Sequence, residues 1–136
     1  MASAGYSGTP LARKLSLKDG QRVYWQDMPD SVRAAIEAEG LALHLLRAPE
    51  PLIDAAHIFV TERAALEARV RRLLPLIERS GFIWVSWPKK AAKVPTDITE
   101  DVIRDIVLPL GLVDVKVCAV DAIWSGLKLM IRKELR

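Results

Sequence analysis

The chain has 136 residues, 51% of them hydrophobic and 27% charged, a length and balance that suit one globular domain and exclude a disordered or fibrous chain. Its longest apolar run, residues 106–113, contains Pro109 and Gly111 and falls far short of the about 20 residues of a membrane-spanning helix, so no membrane role is expected. No secretory signal is read at the start, the single Cys118 cannot close an internal disulfide, and a net charge of +3 spread among interleaved acids and bases permits anionic partners without indicating nucleic acid; the cytoplasm is the expected location.

Residues 1–8 read as a loose tail. Thr9 and Pro10 then suit the start of a short helix over 9–15, with Thr9 as its cap. After a turn at Lys18, Asp19 and Gly20, the aromatic and β-branched centre of residues 22–26 predicts a strand. Asp30 is placed to cap a helix bearing Val32, Ala35 and Ile36 on one face, and Gly40 to close it in a left-handed conformation. Residues 41–46, apart from His44, and likewise 55–60 are apolar on both faces, as in strands covered on both sides of a parallel sheet, and are joined by a stiff stretch around Pro49 and Pro51. Thr61 is placed to cap the helix whose stripe is Leu66, Val70, Leu73 and Ile77; Pro75 predicts a kink or restart, and Ser80 with Gly81 the end. Residues 82–87 form another apolar strand stopped by Pro88, followed by a basic loop. Thr96 or Asp97 would cap the next helix, with Glu100 and Asp101 in its first turn, and Pro109 and Gly111 end it. Period-two alternation over 113–119 and 127–131 predicts two strands, joined too closely for anything but an antiparallel hairpin.

The sum is a single α/β domain over residues 1–136: a three-layer, Rossmann-like arrangement with a mostly parallel sheet of about six strands that ends in an antiparallel hairpin. This layout resembles a shortened class I methyltransferase fold, and the resemblance implies a fold without implying an activity. Nucleotide sites on such sheets place glycines in the first strand-to-helix turn and an acid after the second strand. Here the turn is Gln26, Asp27, Met28, Pro29, Asp30 and Ser31, without glycine, and Arg47 stands where the acid belongs. Proline removes an amide and the aspartates repel an anion, so any bound anion is expected away from this turn, beside Lys89 and the hairpin.

Residues 7–15 (SGTPLARKL), 84–90 (WVSWPKK), 96–102 (TDITEDV), 110–121 (LGLVDVKVCAVD) and 124–129 (WSGLKL) resemble the bacterial family catalogued as domain of unknown function 3052. The resemblance covers nearly the whole chain. It implies a compact bacterial cytoplasmic protein and carries no catalytic residues, substrate or cofactor with it.

Candidate site residues follow from topology, because ligands of open α/β sheets sit at the carboxyl ends of the strands. Trp87, Lys89 and Lys90 end one strand, and the hairpin brings Asp121, Trp124, Ser125 and Lys128 towards them. Two exposed indoles beside ammonium groups would suit an anionic ligand or a protein partner, while the plain alternative is that both tryptophans brace the hairpin and Asp121 shapes its turn. His44 and His57 lack supporting carboxylates, Ser86 lacks the glycines of a nucleophile elbow, and nothing near Cys118 lowers its pKa, so no catalytic residue, metal or cofactor is assigned. The leading expectation is a non-enzymatic binding or regulatory module. A divergent methyltransferase-like enzyme or a nucleotide or S-adenosylmethionine binder is the alternative, and a structural subunit the second.

Overall fold

A computed structural model describes residues 8–136; the expected tail falls outside the described residues except for Gly8. The elements in chain order are α1 (Leu11–Lys14), β1 (Arg22–Gln26), α2 (Asp30–Glu37), β2 (His44–Leu45), β3 (Ile53–Phe59), α3 (Arg63–Leu73), β4 (Ile77–Pro88), α4 (Glu100–Val107), β5 (Leu112–Ala119) and β6 (Trp124–Ile131). The strands make one sheet in the order β2-β1-β3-β4-β6-β5. β2, β1, β3 and β4 are parallel, and β6 runs antiparallel to both β4 and β5. This is the Rossmann-like sheet with a terminal hairpin that the pattern predicts.

Alternation along the central strands splits the apolar residues between two cores. Ala56 and Ile58 of β3 and Ile83, Val85 and Trp87 of β4 face α3 and α4, where Leu66, Val70, Leu73, Ile103 and Val107 are buried. Each large aliphatic side chain so covered contributes roughly 1.5–3 kcal/mol. Ala55 and Phe59 of β3 and Phe82 and Trp84 of β4 face α1 and α2, against Ala12, Leu15, Val32 and Ile36. The indole of Trp84 donates to the Leu15 carbonyl at 2.9 Å and pins α1 to the sheet.

Several boundaries differ from the sequence expectation. Residues 41–46 do not form a strand covered on both sides: only His44 and Leu45 pair, on the outer edge of β1, and both are exposed. A two-residue strand climbs so little that a short return suffices to reach β3 on the other side of β1. Arg22 holds that return, donating to Glu50 (2.8 Å) and the Leu52 carbonyl (3.1 Å). The third helix ends at Leu73, and a single 3-10 turn containing Pro75 leads straight into β4, so Ser80 and Gly81 lie inside a strand. The register there slips between Ile53 and Ala55 of β3, a bulge that brings Gly81 against β3 so closely that a Cβ would stand 2.9 Å from the carbonyl oxygens of Ile53 and Asp54.

The helix caps also differ. No side chain of Thr9, Asp30 or Thr61 caps the helix it precedes or begins. Instead Glu39 accepts from the Ala12 amide at 2.7 Å, and Asp97 accepts from the Arg63 amide at 2.7 Å, each reaching a helix start from a distant segment. The cap of α4 is Thr99, whose Oγ1 accepts from Val102 at 3.2 Å, rather than Thr96 or Asp97. Among the described residues, no helix is long and apolar enough to cross a membrane.

Candidate functional site

β1 and β3 lie side by side, yet the chain leaves β1 towards one edge of the sheet and β3 towards the other. Their carboxyl ends therefore flank the switch point at which open α/β sheets hold ligands. A crevice of about 260 Å³ opens there, walled by Asp27, Phe59, Thr61, Glu62, Arg69 and Trp124. Asp27 turns the chain out of β1 at φ 58°, a left-handed conformation that aspartate tolerates better than most residues and that glycine would otherwise supply. Arg69, projecting from α3, pairs with Asp27 Oδ2 at 2.8 Å and donates to the Phe59 carbonyl at 3.2 Å. The crevice is thus bridged by the protein's own cation and anion.

Beneath it runs a column of rings. Trp124 meets Phe59 edge to face at 5.1 Å, and Phe59 stacks on His57 at 4.4 Å. His57 Nε2 lies 2.7 Å from Ser86 Oγ, and both residues are buried. Burial lowers the His57 pKa to about 3, because the charged imidazolium would lose its hydration, so the ring is neutral at neutral pH. A serine beside a neutral imidazole is the pairing of a nucleophile with its base. Here Phe59 seals it from the crevice, and among the described residues no carboxylate orients the ring. The pair is a satisfied element of the core. His44, at the edge of the sheet, lies two strands away from His57 and cannot join it at a metal.

The candidates at the neighbouring edge divide. The hairpin does meet the end of β4: Lys89 donates its amide to the Ile123 carbonyl at 2.7 Å, and Trp87 stands opposite Ser125. The two indoles, however, are not an exposed pair. Trp87 is 7% exposed in the core facing α3 and α4, whereas Trp124, opposite Pro88, is half-buried on the other face. The loop after β4 explains this: Thr96 bonds the Thr61 carbonyl and Asp97 the Arg63 amide, drawing buried Ile98 into the same core as Trp87. Asp121 Oδ1 accepts from the amides of Ile123 and Trp124 at 2.9 and 2.8 Å, which shapes the turn. Lys128 does not reach this edge. It pairs with Trp84 in register, and its ammonium sits 4.4 Å over the Phe82 ring and donates to Ser16 at 3.0 Å. Lys90 is exposed in a 3-10 turn. Cys118 is half-buried, and burial pushes its thiol pKa up.

Arg69 and the pairing of His57 with Ser86 were not visible in the sequence. Each joins residues far apart in the chain, and only adjacency of β3 with β4, or of α3 with the first turn, brings them together.

No protein-family model matches the sequence, and no curated protein does. Solved structures do. A SAM-dependent methyltransferase from Aquifex aeolicus superimposes with a TM-score of 0.62 at 15% identity, covering 89% of this chain and 87% of that one. The magnesium protoporphyrin IX methyltransferase of Synechocystis PCC 6803, solved with bound SAM, gives 0.56 at 11% identity over 88% and 73%. TrmN from Thermus thermophilus gives 0.55 at 15% identity over 89% and 47%, so the chain spans about half of that protein. At such identities the likeness shows the fold alone: the chain has the Rossmann-like fold of SAM-dependent methyltransferases, with an antiparallel hairpin closing the sheet.

Proposed function

We propose that this domain is a binding or regulatory module built on a methyltransferase scaffold and that it does not itself transfer methyl groups. The observation that carries this reading is the crevice at the switch point, which Arg69 and Asp27 bridge. An exposed ion pair is worth at most about 1 kcal/mol, so the bridge alone would yield to a ligand. The cradle beneath it is the stronger obstacle. Pro29 offers no amide, and about 260 Å³ lies below the roughly 300–1,000 Å³ of ordinary small-molecule sites.

A second reading, that the domain binds S-adenosylmethionine as a divergent methyltransferase-like protein, is favoured by its structural neighbours, among them one solved with SAM. Titration calorimetry with S-adenosylmethionine and S-adenosylhomocysteine separates the two. The module reading expects no saturable heat from the protein or from Arg69→Ala, because removing the bridge neither enlarges the cradle to an ordinary site nor restores the amide that Pro29 lacks. Saturable binding by either protein would overturn it in favour of the second reading.

A further inference from the structure

On the face beneath α1, positive charge gathers. β5 and β6 set Lys116 opposite Lys128 on that face, and α1 lays Arg13 and Lys14 alongside. Two of these ammonium groups are held by neutral acceptors: Lys116 by the Lys14 carbonyl at 3.0 Å and Lys128 by the Ser16 hydroxyl at 3.0 Å. Such bonds orient a cation without cancelling its charge. Among the described residues no ion pair includes Arg13, Lys116 or Lys128, and unlike the other cations outside ion pairs these lie together about one groove.

The carboxylates near this face bond backbone amides or a cation of another element rather than Arg13, Lys116 or Lys128. Glu39 accepts from the Ala12 amide, Asp19 from the Ala42 amide, and Asp121 from the amides of its own turn. Asp114 bonds Arg104 of α4, across the sheet. The like charges are felt: after burial, Lys116 and Lys18 are what lower the pKa of Lys128. Between α1 and β5 lies a cavity of about 400 Å³ walled by Thr9, Arg13, Lys14, Lys116 and Cys118, within the size range of small-molecule sites.

We infer that the groove between α1 and β5 binds the phosphoryl groups of a small phosphorylated compound, with Arg13 and Lys116 as its direct ligands and Lys128 adding to the field from the adjacent strand. A concave pocket of this volume suits a compact multivalent anion better than the extended backbone of a nucleic acid, which tracks a long basic groove. The site is separate from the crevice at the switch point, so the inference stands or falls independently of the preceding reading.

Inorganic pyrophosphate is the probe, titrated calorimetrically against the folded protein at low salt. Saturable binding is expected, weakened at least about tenfold in Lys116→Glu and Lys116→Gln and by no more than about twofold in Lys133→Glu, which reverses a charge in the turn after β6. Lys116 is exposed, and unchanged circular dichroism would show that its variants fold. A single-stranded RNA oligonucleotide forms the second arm. No saturable binding of pyrophosphate up to about 10 mM, equal losses in all three variants, or RNA binding that pyrophosphate fails to displace would each overturn the inference.

Discussion

The buried imidazole of His57 makes the stability of this protein depend on pH in a calculable way. In the unfolded chain a histidine takes up a proton near pH 6.5, whereas in the fold burial lowers the pKa to about 3. Between these values the unfolded state binds more protons than the native one. The stabilisation is therefore complete above pH 6.5 and is lost as pH falls towards 3. At about 1.4 kcal/mol per pH unit, acidification from pH 7 to 4.5 removes about 3 kcal/mol, a large share of the 5–15 kcal/mol that holds a typical domain. Urea unfolding at pH 7, 6, 5 and 4.5 measures this, with His57→Gln as the reference. Glutamine can still bond Ser86 and does not titrate. The variant is less stable at pH 7 because a ring stacked on Phe59 is lost, but its stability should fall by about 3 kcal/mol less over the same range. Carboxylates and His44 are common to both proteins and cancel. Parallel pH profiles, or a His57 ring proton whose chemical shift titrates near pH 6.5, would refute the account of a desolvated, neutral imidazole.

Two local perturbations test how the sheet and the helix starts are built. Gly81→Ala drives a Cβ to 2.9 Å from two backbone oxygens of β3, where nothing flexible can give way; a loss of about 1–3 kcal/mol should appear in thermal unfolding, and an unchanged midpoint would show that the bulge relaxes. Asp97→Ala removes the acceptor for the Arg63 amide and should cost about 1 kcal/mol in denaturant unfolding, with Asp97→Asn recovering most of it because an amide oxygen also accepts.

How legible the sequence proves depends on whether the decisive contact is local. The strand over Arg22–Gln26, the stripe of Leu66, Val70 and Leu73, and the hairpin of β5 with β6 are legible because local composition, side-chain period and a short link specify them. The strand expected over 41–46 fails for a physical reason. Leu41 and Leu43 pack against the core on one side and Leu46 enters the core on the other, so a loop draped over a sheet edge carries nearly the same apolar pattern as a strand covered on both faces. The caps fail because their oxygens come from elsewhere: Glu39 serves α1 and Asp97 serves α3, and no sequence spacing records such a pairing. For Trp87 the packed alternative holds rather than the exposed one, and the sequence leaves the two open because its cover, Ile98, arrives on a loop that is tied down by contacts to Thr61 and Arg63.

The same long-range contacts bear on what the crevice can do. At the carboxyl ends of an open parallel sheet, unpaired carbonyls and the first amides of the following helix are the groups a ligand ordinarily satisfies. Here the protein answers four of them itself. The Phe59 carbonyl takes Arg69, the Thr61 carbonyl takes Thr96, the Val60 amide takes the Ser86 carbonyl, and the Arg63 amide takes Asp97. A ligand entering the crevice would exchange made bonds for new ones and gain little. Beneath α1, among the described residues, no ion pair includes Arg13, Lys116 or Lys128, so an anion bound there would form interactions that these residues do not already make. The electrostatic demand of this domain thus lies beside its first helix and its terminal hairpin, away from the switch point where its fold would place it.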